Sequence, residues 1–191
     1  MRASRATEIL YSVFCILHLT THTKVHMTHT NSFFTTAASP VGELTLTSDG
    51  EGLTGLYCDG QRYFPELTGC VRRGDLPVFV LTRAWLELYF SGEQPLFTPP
   101  LSPVGTDFQL AVWAALAEIP YGQTVSYADV AAAVGCKSAR AVGSAVGRNP
   151  ISVIVPCHRV VGKNGALTGY AGGLDRKRFL LESEGALHVD I

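Results

Sequence analysis

The segment 151–161, Ile-Ser-Val-Ile-Val-Pro-Cys-His-Arg-Val-Val, is apolar and β-branched except in its middle. Such a run predicts a buried strand that enters and leaves a tight turn, with Pro156 fixing the backbone angle at which the turn starts. A turn there would let Cys157 and His158 cooperate, although neighbouring side chains on a strand point to opposite faces. A thiol beside an imidazole and a guanidinium is a candidate nucleophile, because positive charge and a proton acceptor favour the thiolate. The alternative is a structural cysteine, buried as a small apolar side chain.

Composition indicates an ordinary globular protein. The 191 residues are 47% hydrophobic and 16% charged, which suffices for one substantial core or two small ones. An odd number of cysteines without a C-x-x-C pair argues against a disulfide framework and a zinc ribbon. These cysteines are Cys15, Cys58, Cys70, Cys136 and Cys157. We therefore expect a reducing intracellular location, cytoplasmic or, in a eukaryote, nuclear.

Charge is distributed unevenly along the chain. The formal net charge is −1, yet residues 131–174 contain no Asp or Glu. The cations in that range are Lys137, Arg140, Arg148, Arg159 and Lys163. A basic region around Cys157 favours an anionic partner such as a nucleic acid.

Residues 1–30 differ from the rest. The apolar run 9–19 follows Arg2 and Arg5, but Ser12 and His18 interrupt it, and it is too short to span a membrane as a helix. We expect a disordered leader, or an over-extended start with Met27 as the true first residue; a secretory signal is the alternative. Four histidines at helix-like spacing lie among poor helix formers with no Cys or carboxylate to complete a site, so we predict no metal there. They are His18, His22, His26 and His29.

Periodicity predicts a mixed α/β (α+β) protein of two small domains. The first, residues 31–98, contains a small antiparallel meander and a helix over 78–90. The predicted strands are 33–36, 43–47 and 52–57. Prolines between 95 and 103 predict an extended connector, and the second domain covers residues 106–187.

The second domain is predicted to be helical. Thr106 should cap a helix that presents Phe108, Val112, Leu116 and Ile119 on one face. Two short helices then follow, capped by Ser126 and Ser138 and separated by Gly135, which is a helix-turn-helix pattern or a plain packing unit. Gly143 lies inside the second of them, where glycine costs about 1 kcal/mol against alanine. A helix this slim suits close approach to a nucleic acid groove, with close helix packing as the alternative.

The last predicted helix is capped by Asp175, turns Phe179, Leu180 and Leu181 inward and ends at Gly185. Its final turn carries Glu182 and Glu184, although the helix dipole disfavours carboxylates there. Such a local misfit suggests a role, and one of these carboxylates would orient His158 if the helix docks beside the cysteine. A solvated helix end is the alternative.

Together these segments resemble the O6-alkylguanine-DNA alkyltransferases, also called methylated-DNA–protein-cysteine methyltransferases. The resemblance covers residues 39–186 and is strongest after Thr106. It rests on Ile-Pro-Tyr-Gly-Gln-Thr-Val-Ser-Tyr (119–127), Ala-Arg-Ala-Val-Gly (139–143), Arg-Asn-Pro (148–150), Pro-Cys-His-Arg-Val-Val (156–161), Gly-Tyr (169–170) and the ending Leu180-Leu181 to Glu184-Gly185. It implies a ribonuclease H-like scaffold followed by a helical alkyltransferase domain.

The resemblance also implies function and residue roles. The family moves an alkyl group from O6 of guanine in double-stranded DNA, and also from O4-alkylthymine, to its own cysteine, once per molecule and without a cofactor, as a monomer with no membrane partner. Cys157 would accept the group, His158 would act as base through a water, and Glu184 would orient His158. Asn149 would brace the turn, and Tyr127 would assist the departing guanine. The implied DNA-binding residues are Lys137, Ala139, Arg140, Ala141, Gly143 and Arg148, with Arg140 replacing the rotated base; Val160, Tyr170 and Ala171 would line the base pocket.

Two positions depart from the family pattern. Ala171 stands where some members have Ser, so a backbone amide would contact O6 instead. Asp49 stands where zinc-binding members have a Cys ligand, so we predict no metal. Two rival functions are a thiol hydrolase built on Cys157, His158 and Glu184, and a non-catalytic binder of alkylated DNA.

Overall fold

A computed structural model describes residues 32–187. Its first half is a four-stranded sheet in the order β3-β2-β1-β4. The strands are β1 (Phe33–Ala37), β2 (Leu44–Ser48), β3 (Leu53–Cys58) and β4 (Val71–Arg72). The predicted antiparallel meander of β1, β2 and β3 is confirmed, and β4 adds to β1 in parallel. Strand β4 was not among the predicted strands, because two exposed residues show no periodicity.

Helix α1 (Pro77–Phe90) carries one buried face. Pro77 stands in its first turn, where its missing N–H costs nothing. Phe79, Leu86 and Tyr89 are almost fully buried in the core shared by the sheet and the later helices. Tyr89 thereby reaches a residue 95 positions later in the chain, Glu184.

The helices of the second half begin where the capping residues predicted. Thr106 and Ser126 each form a capping box, before α2 (Asp107–Ala117) and α3 (Tyr127–Ala133). Ser138 caps α4 (Ala139–Gly147). The prediction that Phe108 shares the buried face of α2 is wrong: Phe108 is 38% exposed, whereas Val112 is fully buried. Side chains tilt toward the helix N-terminus, so a first-turn residue projects past the core.

The central segment enters the turn without a strand, which corrects our prediction. Ile151 forms a single bridge with Leu56, and Val153 has a φ of 69°. Local turns satisfy the backbone instead, as where Val155 N donates to the Ile151 carbonyl at 3.1 Å. A buried apolar run alone does not distinguish a strand from packed turns. The predicted turn itself is present as a 3₁₀ helix, Cys157–Arg159, followed by β6 (Val160–Val161), which pairs in parallel with β5 (Val125–Ser126).

A second 3₁₀ turn (Lys163–Gly165) leads to helix α5 (Leu174–Ser183), which differs from the prediction at both its cap and its buried face. Gly173, with a φ of 91°, precedes the helix, so Asp175 lies inside the first turn and is not the cap. Phe179 is 39% exposed, while Leu180 and Leu181 are buried as expected. Gly185, with a φ of 70°, ends the helix as predicted.

Within residues 32–187, no helix has the length and apolar character needed to cross a bilayer. The predicted leader and the histidines at 18, 22, 26 and 29 lie outside the described residues.

Candidate active site

Cys157 starts the 3₁₀ turn and is 5% exposed. Asn149 braces this turn: its side-chain amide donates to the Val155 carbonyl at 2.8 Å, and its oxygen accepts from Ile151 N at 3.0 Å. Burial raises the pKa of the Cys157 thiol to about 11, although a hydrogen bond from Asn149 and the charge of Lys177 act in the opposite direction. A thiol held neutral in this way needs a base before it can act as a nucleophile.

His158 and Glu184 form a buried pair beside that cysteine. His158 Nε2 lies 2.8 Å from Glu184 Oε1, and both side chains are excluded from solvent. Burial alone would raise the pKa of Glu184, but hydrogen bonds from His158 and Arg159 outweigh it and lower the pKa to about 2. Of the two glutamates at the end of the last helix, Glu184 is therefore the one that contacts His158.

The carboxylate of Glu184 accepts four further hydrogen bonds, from three residues. Arg159 reaches it twice, through Nε to Oε2 at 2.8 Å and Nη2 to Oε1 at 2.9 Å. Tyr89 donates its hydroxyl to Oε1 at 2.6 Å, and Gly122 N donates to Oε2 at 3.3 Å. Glu184 thus joins α1, the 119–122 turn and the 3₁₀ helix at one point. Sequence reasoning did not identify Tyr89, and it counted Arg159 only as a nearby charge.

This arrangement determines which nitrogen of His158 can accept a proton. An ionised carboxylate only accepts hydrogen bonds, so Nε2 carries the hydrogen and Nδ1 the lone pair. Nδ1 is buried and has no hydrogen-bond partner among residues 32–187. Burial also lowers the pKa of His158, which keeps the ring neutral at pH 7. His158 is therefore equipped to take a proton at Nδ1, with Glu184 stabilising the imidazolium.

The pair predicts acid-sensitive stability. The pKa of His158 is lowered in the folded state, so unfolded chains bind more protons below about pH 6.5 and stability falls there. The pKa of Glu184 falls from 4.5 unfolded to about 2 folded, so its contribution, up to about 3 kcal/mol, is complete above pH 4.5 and is lost toward pH 2. Urea unfolding at a series of pH values should show both stages, and Glu184→Gln should lack the lower one. A wild-type free energy of unfolding that stays constant from pH 7 to 3 would contradict this assignment.

Lys177 is a site residue that sequence reasoning missed. It is fully buried, and its ammonium donates to the carbonyls of Val160 at 2.5 Å and Thr168 at 2.8 Å. Burial lowers its pKa to about 8, with a partly opposing effect from Cys157. Its spacing gives the signal: Lys177, Leu180, Leu181 and Glu184 recur at helical intervals on one buried face.

The structure also shows the surroundings of Tyr127, predicted to assist the departing guanine, and of the predicted base-pocket residues. Tyr127 donates its hydroxyl to the carbonyls of Thr168 and Gly169, each at 3.2 Å, and burial raises its pKa. The buried hydroxyl of Tyr170 has no hydrogen-bond partner within the described part of the chain, and burial raises its pKa well above the usual value. Val160 is fully buried, and the Ala171 carbonyl accepts from Arg62 N at 2.9 Å. Ionisation of Cys157 would raise the pKa of both Tyr127 and Tyr170 further.

The predicted DNA-binding residues follow α4 and its ends. Lys137, Ala139, Arg140 and Arg148 are exposed, and Ala141 and Gly143 are partly so. A Cβ at Gly143 would meet only the Tyr127 ring, at 3.8 Å, which is ordinary van der Waals contact. Packing within the protein therefore does not require glycine at this position.

Asp49 has a turn role where zinc-binding relatives were expected to have a ligand. Its Oδ1 accepts from Glu51 N at 2.9 Å and from Gly52 N at 2.8 Å. Across the described range 32–187, no three His, Cys, Asp or Glu side chains group in a way that could hold a metal ion.

Comparison with known proteins agrees across both halves. Residues 107–186 match the family described as "6-O-methylguanine DNA methyltransferase, DNA binding domain", and residues 33–103 match its "ribonuclease-like domain". The methylated-DNA–protein-cysteine methyltransferase of Haemophilus influenzae is 46% identical over 160 residues, covering 83% of this chain and 89% of that protein. That of Mycobacterium bovis is 49% identical over 152 residues, covering 79% and 91%.

Solved structures agree as well. The Mycobacterium tuberculosis O6-methylguanine methyltransferase superposes with a TM-score of 0.74 at 46% identity, covering 84% of this chain and 96% of that one. A structure of M. tuberculosis OGT in complex with DNA gives the same TM-score and identity, covering 81% and 93%. The predicted mixed fold, with a ribonuclease-like sheet domain before a helical DNA-binding domain, is confirmed. The chain belongs to the 6-O-methylguanine DNA methyltransferase family.

Proposed function

We propose that this protein repairs double-stranded DNA by transferring an alkyl group from O6 of guanine irreversibly to Cys157. O4-alkylthymine is a second proposed substrate. The observation that carries the proposal is the buried set of Cys157, His158 and Glu184, in which the accepting nitrogen of His158 has no partner among the residues that the structure describes. Family membership supports the reaction, and the basic stretch 131–174 supports DNA as the partner.

The side chains present can balance the reaction. His158 takes the thiol proton at Nδ1, through a water, and Glu184 holds the resulting imidazolium. The sulfur forms a bond to the alkyl carbon as the bond from that carbon to O6 breaks. The guanine that leaves gains negative charge and takes a proton from the Tyr127 hydroxyl. Burial raises the pKa of Tyr127, so the tyrosinate takes back a proton, which His158 supplies through solvent, and both side chains are left neutral. The product thioether has no thiol left, so each molecule reacts once.

A buried thiol reaches O6 only if the damaged base leaves the stack, since O6 lies within the base pair. Arg140 is exposed at the start of α4 and can fill the space that the base leaves. Ala139, Ala141 and Gly143 would lie against the minor groove, with Lys137 and Arg148 near the phosphates. Asn149 holds the cysteine turn, and Val160, Tyr170 and Ala171 enclose the rotated base.

Gly143→Ala should separate stability from function. Alanine improves helix propensity by about 1 kcal/mol and its Cβ fits at 3.8 Å from Tyr127, so we expect a higher free energy of unfolding. If α4 meets the minor groove closely, the added methyl group should weaken binding to duplex DNA several-fold. Urea unfolding and fluorescence anisotropy measure the two effects. A stabilised variant with unchanged DNA binding would show that α4 does not approach DNA at Gly143.

We propose the following organisation for the whole chain. Residues 31–98 form the scaffold and residues 106–187 bind DNA and carry the reaction, in a monomer located in the cytoplasm, or in the nucleus of a eukaryote. Contacts such as that between Tyr89 and Glu184 support a direct role of the scaffold in holding the site.

The test is the stoichiometry of transfer. Protein is mixed with an excess of duplex that carries O6-methylguanine labelled in its methyl group. The number of labels per protein molecule is then measured over time. A plateau at about one label per molecule supports the proposal. Tight binding without label would favour the DNA binder, and repeated turnover of a thioester or peptide would favour the hydrolase.

A further inference from the structure

Two arginines from opposite halves of the sequence meet on one aromatic ring. The guanidinium carbon of Arg62 lies 4.9 Å from the centre of the Tyr63 ring, and that of Arg148 lies 4.7 Å from the same centre. Both arginines are exposed, and 43% of Tyr63 is accessible to solvent. Arg62 and Tyr63 follow β3, whereas Arg148 ends α4.

The backbone around Tyr63 is held in a set position. Tyr63 has a φ of 63°, which is unusual for an aromatic residue and persists only where neighbouring contacts enforce it. On one side Arg62 N donates to the Ala171 carbonyl at 2.9 Å. On the other, buried Gln61 accepts from Cys58 N at 2.8 Å. The loop is thereby fixed against the 169–173 segment of the proposed base pocket.

The charge of the cluster is uncompensated. Throughout the part of the chain that the structure describes, neither Arg62 nor Arg148 forms an ion pair with a carboxylate. Two like charges held near one ring repel each other, and a bound anion would relieve that repulsion. Contact with the Tyr63 ring holds each guanidinium without requiring a hydrogen bond from its N–H groups, and those planar N–H donors suit a phosphate.

From these contacts we infer that Arg62, Tyr63 and Arg148 form a binding site for the DNA phosphate backbone. The first half of the chain then takes part in DNA binding in addition to supporting the fold. Arg148 ends the helix that we propose to meet the minor groove, so one continuous surface reaches from α4 to the loop after β3. The inference rests on the proposed function only in taking duplex DNA as the ligand.

The test is the salt dependence of binding to an undamaged duplex. Removing one phosphate interaction reduces the slope of log K against log salt by about 0.9. We expect Arg62→Ala and Arg148→Ala each to reduce the slope by about one and to weaken binding about five- to tenfold at 100 mM salt. Arg72→Ala is the matched control, because Arg72 is an exposed arginine on β4, at the other edge of the sheet from β3.

Separate measurements test the role of the Tyr63 ring and the proposed alkyl transfer. Tyr63→Phe keeps the stacking surface and should bind as the wild type does, whereas Tyr63→Ala should weaken binding with a smaller change in slope. An Arg62→Ala slope equal to that of Arg72→Ala would overturn the inference. Wild-type label transfer is measured on an alkylated duplex: if it proceeds while Arg62 proves dispensable, only this inference fails, and if it is absent, the proposed function fails.

Discussion

Glu184→Gln is expected to lower the free energy of unfolding by about 3–5 kcal/mol, because the buried guanidinium of Arg159 loses its only carboxylate partner among the described residues. Transfer should slow by at least about 100-fold, the usual contribution of a well-placed base. The amide can neither hold His158 in the tautomer that leaves Nδ1 free nor stabilise the imidazolium. Urea unfolding and single-turnover rates with alkylated duplex measure the two effects.

Glu182→Gln is the matched control. Glu182 lies two residues earlier in the last turn of α5 and forms no ion pair with another described residue. Its replacement should change stability by no more than about 0.5 kcal/mol and leave the rate unaltered. Equal rates for the two glutamine variants would show that Glu184 has no part in the chemistry. Circular dichroism on both variants confirms that the rates compare folded proteins.

Arg140→Ala is expected to slow transfer from duplex DNA by about 100-fold. Rotating a base out of the stack costs a few kcal/mol, and each 1.36 kcal/mol left uncompensated slows the rate about tenfold. The free base O6-methylguanine needs no rotation, so its reaction with Cys157 should be almost unaffected. The ratio of the single-turnover rates on the alkylated duplex and on the free base isolates the rotation of the base.

Arg178→Ala controls for the removal of one positive charge, since Arg178 is exposed on α5. It should change both rates by less than a few-fold. If Arg140→Ala slowed the free base and the duplex equally, Arg140 would act on the chemical step or on folding. If it slowed neither, another residue would have to fill the stack.

Local rules predicted the starts of three helices and the end of the last one. Thr106, Ser126 and Ser138 satisfy backbone N–H groups within three residues, and Gly185 supplies the positive φ at the end of α5, so the sequence around each position is sufficient. The strand predicted over 151–155 was wrong, because the local sequence is not sufficient there. The backbone conformation there depends on Asn149 and on packing against β3, and no local pattern reveals either interaction.

The contacts of the proposed site also separate into those that the sequence predicted and those that required the tertiary fold. The pairing of His158 with a carboxylate followed from an acidic residue at an unfavourable helix end, and the resemblance assigned it to Glu184. The hydrogen bond from Tyr89 joins residues 95 positions apart, so it required the tertiary fold. Lys177 was recognisable in principle, because a charged residue in register with Leu180 and Leu181 on a buried helix face needs a partner.

The central claim is that Cys157 itself receives the alkyl group. Wild-type protein is reacted with duplex carrying labelled O6-methylguanine and digested, and the label is located by peptide mass spectrometry, with Cys157→Ser processed in parallel. We expect the label on the peptide containing Cys157 and no label in the variant, although the other four cysteines of the sequence are still present. Label on any other residue, or transfer that persists in Cys157→Ser, would contradict the account.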